Sequence, residues 1–198
     1  MKLDAHLQQS RLLYLVRDSE NINIRENEHY RFLCFDHIVQ SVMHLRRPHQ
    51  LTLPHQYIIT LTLLFIRPSR VIELGLGGGN VLRYVHSLLP ECQLHSIENN
   101  LQVVQCFKQY FNPNRVEIEI ELQQAKLWLA QQQQLLCDWL ICDIFRQQRS
   151  DLDSLDLIQH SLNALSLNAW LTVNLVDLPE KQLEKALHYL SRVKNTRQ

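Results

Sequence analysis

The four glycines of this 198-residue chain all lie in one decapeptide, VIELGLGGGN, at residues 71–80. Average usage of about 7% would give a chain of this length roughly fourteen glycines, spread over turns and helix ends. Glycine lacks a Cβ, so it allows sharp turns and a close approach of the backbone to a ligand. Because the apolar run RVIEL precedes the glycines and a helical pattern follows them, the segment predicts a strand–turn–helix unit that faces a ligand.

Strand-like and helix-like segments alternate from residue 70 onwards. The strands that we predict there are RVIEL, QLHSIE, RVEIEIEL, DWLICDIF and AWLTVNLV. Such alternation is typical of an α/β fold, here with a Rossmann-like, doubly wound parallel sheet. Residues 11–45 instead show short alternating runs that predict a small antiparallel β unit. We therefore predict an N-terminal β unit at 1–52 and a nucleoside-binding domain at 53–198.

The spacing of the glycines and of two acids narrows the choice of ligand. A dinucleotide fingerprint is GxGxxG, whereas Gly75, Gly77 and Gly79 follow GxGxG, and Asn80 stands where the last glycine of the fingerprint would fall. Glu73 extends the pattern to E-x-G-x-G-x-G, which resembles motif I of S-adenosylmethionine-dependent transferases. Glu98 ends the next predicted strand, where an acid can accept hydrogen bonds from both ribose hydroxyls. The alternative is a structural turn beside an unrelated acid.

Several further segments, in order, resemble the spermidine synthase (polyamine aminopropyltransferase) family from about Asn21 to Val176. FDHIVQS is similar to the family signature L-D-G-x-x-Q, and GGNVLRYV to G-G-V-L-R-E-V. HSIENNLQVVQCFKQYF resembles the second core strand with its helix, and DWLICDIF resembles the strand that ends in the catalytic aspartate. The resemblance implies a class I methyltransferase-like fold, and a cofactor that is S-adenosylmethionine or decarboxylated S-adenosylmethionine.

The resemblance also implies roles for particular residues. Gln40 would contact the nucleoside, Glu98 the ribose and Gln124 the adenine. The amino-acid portion of the cofactor would be held by Glu73 and the glycine turn that follows it. The glycines of this turn are Gly75, Gly77, Gly78 and Gly79. Asp143 would contact the cofactor and act as the catalytic base, and Tyr57 would contact the substrate. An acid at the position of Asp143 often only supports the cofactor or caps the next helix, and that alternative stays open.

The departures from the family pattern fall on the part that binds the polyamine. Gly78 replaces the aspartate that holds the amine of the decarboxylated cofactor, and Arg146 replaces the second acid of D-x-x-D. Around Tyr57, Leu53 and Pro54 replace an acidic pair and Ile59 replaces a glutamate, while Gln124 replaces the aspartate that reads adenine. A polyamine needs several carboxylates to bind tightly, so the sequence predicts a degenerate polyamine site.

Two functions remain open from the sequence. The first is a methyl- or aminopropyl-group transferase, in which Asp143 would take the proton that an attacking amine must lose. The second is a non-catalytic relative that binds a nucleoside or a partner protein and has lost the family reaction.

Composition sets the remaining expectations. Lys+Arg and Asp+Glu balance at 20 each, so no net field indicates nucleic acid, and no apolar run indicates a membrane or a leader. We expect a cytoplasmic protein with five reduced cysteines and a small-molecule substrate. His44, His49 and His55 have no metal-site spacing, so we interpret them as scattered surface residues and expect no metal. The chain stops one predicted helix after Val176, which would fit a homodimer that covers the sheet edge.

Overall fold

The computed structural model describes residues 3–17, 21–144, 151–166 and 168–175, together with residues 180, 183–185 and 187. The helices are α1 (Leu3–Gln8), α2 (Pro54–Thr60), α3 (Asn80–Leu88), α4 (Leu101–Cys106), α5 (Ala125–Ala130) and α6 (Asp151–Ala164). A 3₁₀ turn, Leu61–Leu64, continues α2, and a π turn, Phe107–Phe111, continues α4. The strands are β1 (Arg11–Val16), β2 (Ile22–Glu26), β3 (Tyr30–Phe35), β4 (Ile38–His44), β5 (Arg70–Leu74), β6 (Gln93–Glu98), β7 (Glu119–Leu122), β8 (Trp139–Cys142) and β9 (Trp170–Val173).

The second half of the chain forms a five-stranded parallel sheet in the order β7-β6-β5-β8-β9. The chain winds outwards from β5 in both directions, so the carboxyl ends of β5 and β8 flank the point where the strand order reverses. Ligands of doubly wound sheets bind at such a point. The predicted α/β fold is confirmed, and the glycine turn leaves the sheet there.

One predicted strand is shorter than expected. RVEIEIEL begins at residue 115, whereas β7 starts at Glu119. The side chain of Asn112 accepts from the backbone N–H of Val116 and donates to its carbonyl, at 2.9 Å in each case. Those two backbone groups are therefore not available to a neighbouring strand, so pairing begins later.

The predicted N-terminal β unit forms a four-stranded antiparallel sheet in the order β1-β2-β3-β4. Helix α1 precedes this sheet and was not predicted, because a six-residue segment with only two apolar positions in helical spacing, Leu3 and Leu7, is too short to give a clear period. Apolar side chains from both halves of the molecule form one core cluster: Ile22, Ile24, Leu33, Met43, Leu76, Val103, Val104, Cys106, Phe107 and Phe111. The antiparallel sheet thus packs against α4 and its π turn.

Some of the residues named in the sequence predictions are not among those that the structure describes. Arg146, Val176 and most of the helix predicted from Glu180 lie outside the described residues. All five cysteines are within them, and each is buried and outside any disulfide. In the parts of the chain that the structure covers, no helix combines the length and the apolar character needed to cross a membrane.

Candidate functional site

A cleft of about 1050 Å³ lies at the carboxyl ends of β5, β6 and β8, between the parallel sheet and the segments that carry β4 and α2. Six of the predicted site residues line it: Gln40, Glu73, Gly75, Gly77, Glu98 and Asp143. They come from separate parts of the sequence, and the fold brings them to one place. The position agrees with the rule for doubly wound sheets.

The glycine turn needs residues without a Cβ at two points in particular. Gly75 has φ +94°, and a Cβ built on it would lie 2.6 Å from the carbonyl oxygen of Asp143. Gly79 has φ +63° and precedes α3, and its Cβ would lie 2.5 Å from the ring of Phe107. Both positive φ values and both contacts exclude larger residues. The close packing of the turn thus explains part of the glycine concentration without any ligand.

Glu98 joins the glycine turn to the end of β6. Its Oε2 accepts a hydrogen bond from the N–H of Leu76 at 3.1 Å, and its Oε1 accepts one from the N–H of Asn100 at 2.9 Å. Burial raises the pKa of Glu98, while the backbone N–H groups of Asn100, Leu76, Asn99 and Gly77 lower it. The side chain lines the cleft, where its carboxylate oxygens can also face a ligand.

Glu73 is the most deeply buried acid of the cleft. Its side chain is 3% exposed, and its Oε2 has no hydrogen-bond partner among the described residues. Burial raises its pKa well above the ordinary value of 4.5; the charges of Asp143 and Glu98 also raise it, whereas Arg83 lowers it. A protonated Glu73 can donate a hydrogen bond as well as accept one.

Strand β4 fixes the glycine turn from the other side. The N–H of Gly78 donates to Ser41 Oγ at 2.9 Å, and Asn80 Nδ2 donates to the carbonyl of Val42 at 2.6 Å. The sequence provides no reason to assign a role to Ser41 or Asn80, because neither side chain belongs to a motif that predicts a hydrogen bond between β4 and the turn.

A buried arginine supports the same turn from beneath. Arg83 donates to the carbonyl oxygens of Gly78, Pro48 and Phe111. Arg83 lies in the GGNVLRYV segment that carries the family resemblance. Four oxygen acceptors surround its guanidinium once Asn80 Oδ1 is included, at 2.9 Å. Such a bond set holds the turn to three separate segments.

Asp143 stands beyond the end of β8 with its carboxylate held in place. Asn174 Nδ2, which follows β9, donates to Oδ1 at 2.7 Å. His55 Nε2 lies 3.9 Å from Oδ2, and the two side chains are 32% and 24% exposed. The interpretation of His55 as a scattered surface residue is therefore wrong: its side chain lines the cleft beside Asp143. The position of His55 two residues before the recognised Tyr57 is the one signal that could have drawn attention to it.

The remaining predicted residues lie outside the lining of the cleft. Gly78 and Gly79 belong to the turn but face β4 and Phe107, as their close contacts show. Gln124 precedes α5, and its neighbours Gln123 and Ala125 line the cleft instead. The side chain of Tyr57 is exposed, and its hydroxyl donates to the carbonyl of Leu51 at 2.7 Å. The roles of these residues stay predictions.

Gln40 presents a free donor to a ligand. Its Nε2 is buried and has no hydrogen-bond partner in the described structure, and the residue lines the cleft. An unpaired buried amide costs free energy, so a ligand acceptor at this point would be stabilised. For metals, the described residues contain no group of three or more His, Cys, Asp or Glu side chains placed to hold an ion.

Comparison with known proteins shows which sequences and folds this chain resembles. No protein-family model matches the sequence. The polyamine aminopropyltransferases of Neisseria meningitidis serogroup A (strain Z2491) and serogroup B (strain MC58) are each 32% identical to it over 75 residues. That stretch is 37% of this chain and 28% of either relative, so the match spans less than a third of the curated relatives' length.

Solved structures match over far more of the chain. A probable spermidine synthase from Corynebacterium glutamicum has a TM-score of 0.77 and 16% identity, covering 92% of this chain and 70% of that one. A spermidine synthase in complex with the transition-state analogue AdoDATO has a TM-score of 0.70 and 16% identity, covering 92% and 65%. Human methyltransferase-like protein 13 in complex with SAH has a TM-score of 0.52 and 11% identity, covering 74% and 95%. The resemblance read from the motifs is confirmed: the chain has a spermidine synthase-like fold.

Proposed function

We propose that the cleft binds an S-adenosyl nucleoside and that the chain transfers a group from its sulfonium to a small acceptor. The observation that carries this proposal is the position of Glu98. It is a buried carboxylate at the end of β6 that is fixed by two backbone donors and lines the cleft. Its carboxylate oxygens are acceptors of the kind that suits the two donor hydroxyls of a ribose.

The neighbouring groups fit the rest of such a ligand. The N-terminus of α3 follows the glycine turn, and its N–H groups carry partial positive charge that suits an anionic tail. Gln40 Nε2 supplies a buried donor in the same cleft. Ala125 and Gln123 offer a surface beyond β7, beside Gln124, which we assign to the adenine. The AdoDATO and SAH bound in proteins of similar fold support a ligand of this class.

The acceptor that we infer is not a typical polyamine, because three positions at which the resemblance implies acids carry no carboxylate here. A Cβ at Gly78 would lie 2.8 Å from the Cβ of Ser41, so no aspartate fits there without displacing β4. Ile59 is 3% exposed and lies in a core cluster. Leu53 lines the cleft with an apolar side chain. These three positions support a degenerate polyamine site.

Calorimetric titration tests the proposal. We expect methylthioadenosine to bind. In separate titrations, we also expect either S-adenosylmethionine or its decarboxylated form to bind. Preference for the intact tail indicates methyl transfer, and preference for the decarboxylated tail indicates aminopropyl transfer. Binding without turnover for any acceptor would instead support the non-catalytic alternative. If none of the three nucleosides binds, the proposal is wrong.

A variant series locates the ribose contact. Glu98→Ala should weaken methylthioadenosine binding at least about thirtyfold, because it removes a charged acceptor of two hydrogen bonds. Glu98→Gln keeps the side-chain shape with one acceptor oxygen, so its loss should be intermediate. Glu91→Ala, at an exposed acid on the same half of the chain, is the matched control and should leave the affinity unchanged. Thermal unfolding of each variant checks that the fold is intact. Equal affinity for wild type and Glu98→Ala would contradict the assignment.

A further inference from the structure

His55 and Asp143 face each other across a gap in the cleft. The distance from His55 Nε2 to Asp143 Oδ2 is 3.9 Å, which is too long for a hydrogen bond between them. A nitrogen placed about 2.9 Å from both atoms would make an ordinary hydrogen bond to each. The gap is shorter than two such bonds laid end to end, so an atom seated slightly to one side of the line fits it.

We propose that the nucleophilic nitrogen of the acceptor, a primary amine, binds between His55 Nε2 and Asp143 Oδ2, and that His55 takes the proton that this nitrogen loses. The inference rests on the proposed function, because the bound sulfonium supplies the carbon that is attacked. His55 belongs to no motif read from the sequence, and it stands beside the aspartate at which the chemistry is proposed.

The carboxylate of Asp143 is suited to hold the amine as an ammonium ion. Asn174 donates to Oδ1, which fixes the carboxylate and leaves Oδ2 directed at the gap. The other acids that line the cleft are Asp36, Glu73 and Glu98. Glu98 accepts bonds from the glycine turn, and Asn21 Nδ2 donates to Asp36 at 2.6 Å. Burial raises the pKa of Glu73, which disfavours its charged form. One ammonium at the reacting end is therefore what this part of the cleft accommodates.

The transfer balances with these groups alone. The ammonium gives one proton to His55 Nε2, and the freed lone pair of the nitrogen forms the new bond to the carbon attached to sulfur. The carbon–sulfur bond breaks, and its electron pair stays on sulfur, which turns the sulfonium into a neutral thioether. The imidazolium formed at His55 is stabilised by the carboxylate of Asp143. Among the described residues that line the cleft, no Lys or Arg competes for that carboxylate.

The test uses propylamine as the probe and the full chain saturated with methylthioadenosine. The side-chain ¹⁵N signals of labelled histidines are followed by NMR, with His55→Gln assigning the His55 signal. We expect propylamine to shift that signal in the wild type. His55→Gln and Asp143→Asn should each weaken propylamine binding about tenfold or more, as loss of a hydrogen bond to a charged group predicts. His49→Gln, at an exposed histidine outside the cleft, is the control and should bind propylamine like the wild type.

Proton uptake has its own readout. In the transfer reaction with propylamine as the acceptor, His55→Gln should lower kcat about a hundredfold, because the attacking nitrogen loses its base. A raised KM with an unchanged kcat would contradict proton transfer to His55.

Two results would overturn the inference, and they differ. In the first, wild type and His55→Gln bind methylthioadenosine with affinities within twofold of each other, and they also bind propylamine equally well. The amine site is then wrong and the nucleoside proposal stands. If methylthioadenosine does not bind at all, the proposed function fails and the amine site fails with it.

Discussion

The cleft has two walls that are held in different ways. The glycine wall, residues 75–79 with Glu98, is joined to its surroundings mainly by the backbone groups of its glycines: Gly75 donates to the carbonyl of Ile97 at 2.9 Å, and Gly78 donates to Ser41 Oγ at 2.9 Å. The acceptor wall, His55 with Asp143 and Asn174, consists of side chains that begin on three separate segments. Changes at the glycines should therefore cost mainly stability, and changes in the acceptor wall mainly binding.

The largest effect that we expect is at Gly75. Gly75→Ala adds a Cβ 2.6 Å from the carbonyl oxygen of Asp143 and forces alanine to φ +94°. Backbone strain and overlap together should lower the free energy of unfolding by about 4 kcal/mol. Urea denaturation followed by circular dichroism measures the loss. Gly77→Ala is the matched control, because its Cβ would meet only Ser41 Oγ, at 3.1 Å, so its cost should be smaller. Equal losses of unfolding free energy in the two variants would mean that the positive φ alone, and not the overlap with Asp143, determines the cost.

The buried acid Glu73 should make stability depend on pH with a defined sign. Its pKa is raised in the folded state, so the folded chain binds more protons than the unfolded chain above pH 4.5, and stability falls as the pH rises. Glu73→Gln removes this loss. The advantage of the variant over wild type should therefore grow as the pH rises from 5 to 7.

Urea titrations of both proteins across that range give the comparison for Glu73. Glu98 titrates in both and cancels in the difference. A difference that stays constant with pH would show that Glu73 is ionised in the folded protein.

Ser41 tests how firmly β4 holds the glycine wall. Ser41→Ala leaves the buried N–H of Gly78 without its acceptor. The expected cost is about 1 kcal/mol, the usual penalty for one unsatisfied buried donor. The control is Ser87→Ala, where the hydroxyl bond to the carbonyl of Tyr84 is exposed and should change stability by less than about 0.5 kcal/mol. If both serines cost the same, β4 does not support the turn through this bond.

The two walls were also unequally visible in the sequence. The glycine wall is one continuous motif plus an acid at the end of the next strand, and for such features chain order predicts spatial order in a doubly wound sheet. Glu73, Gly75, Gly77 and Glu98 could accordingly be placed before the structure was known. The order of all five parallel strands follows from the same rule.

The acceptor wall depends on contacts that no local pattern encodes. His55 and Tyr57 lie two residues apart on α2, about 200° around the helix, so they cannot face the same way. The resemblance pointed to the tyrosine, whereas the fold turns the histidine towards Asp143. Asn174 reaches Asp143 only because β9 lies next to β8. The site was thus predictable where the backbone forms it and not where tertiary packing selects among side chains.

The smallest stability effect, and the one that tests the comparison most directly, belongs to His55. Its ring is 32% exposed and 3.9 Å from its nearest charged neighbour, so His55→Gln should change the free energy of unfolding by less than about 0.5 kcal/mol. Urea denaturation at pH 7 measures it beside the propylamine affinity of the same preparation. A loss above about 1 kcal/mol would show that His55 holds the fold rather than an acceptor. An almost unchanged free energy of unfolding together with a tenfold weaker affinity for propylamine would assign this histidine to binding. A side chain that affects a ligand and not the fold is one whose partner comes from outside the chain.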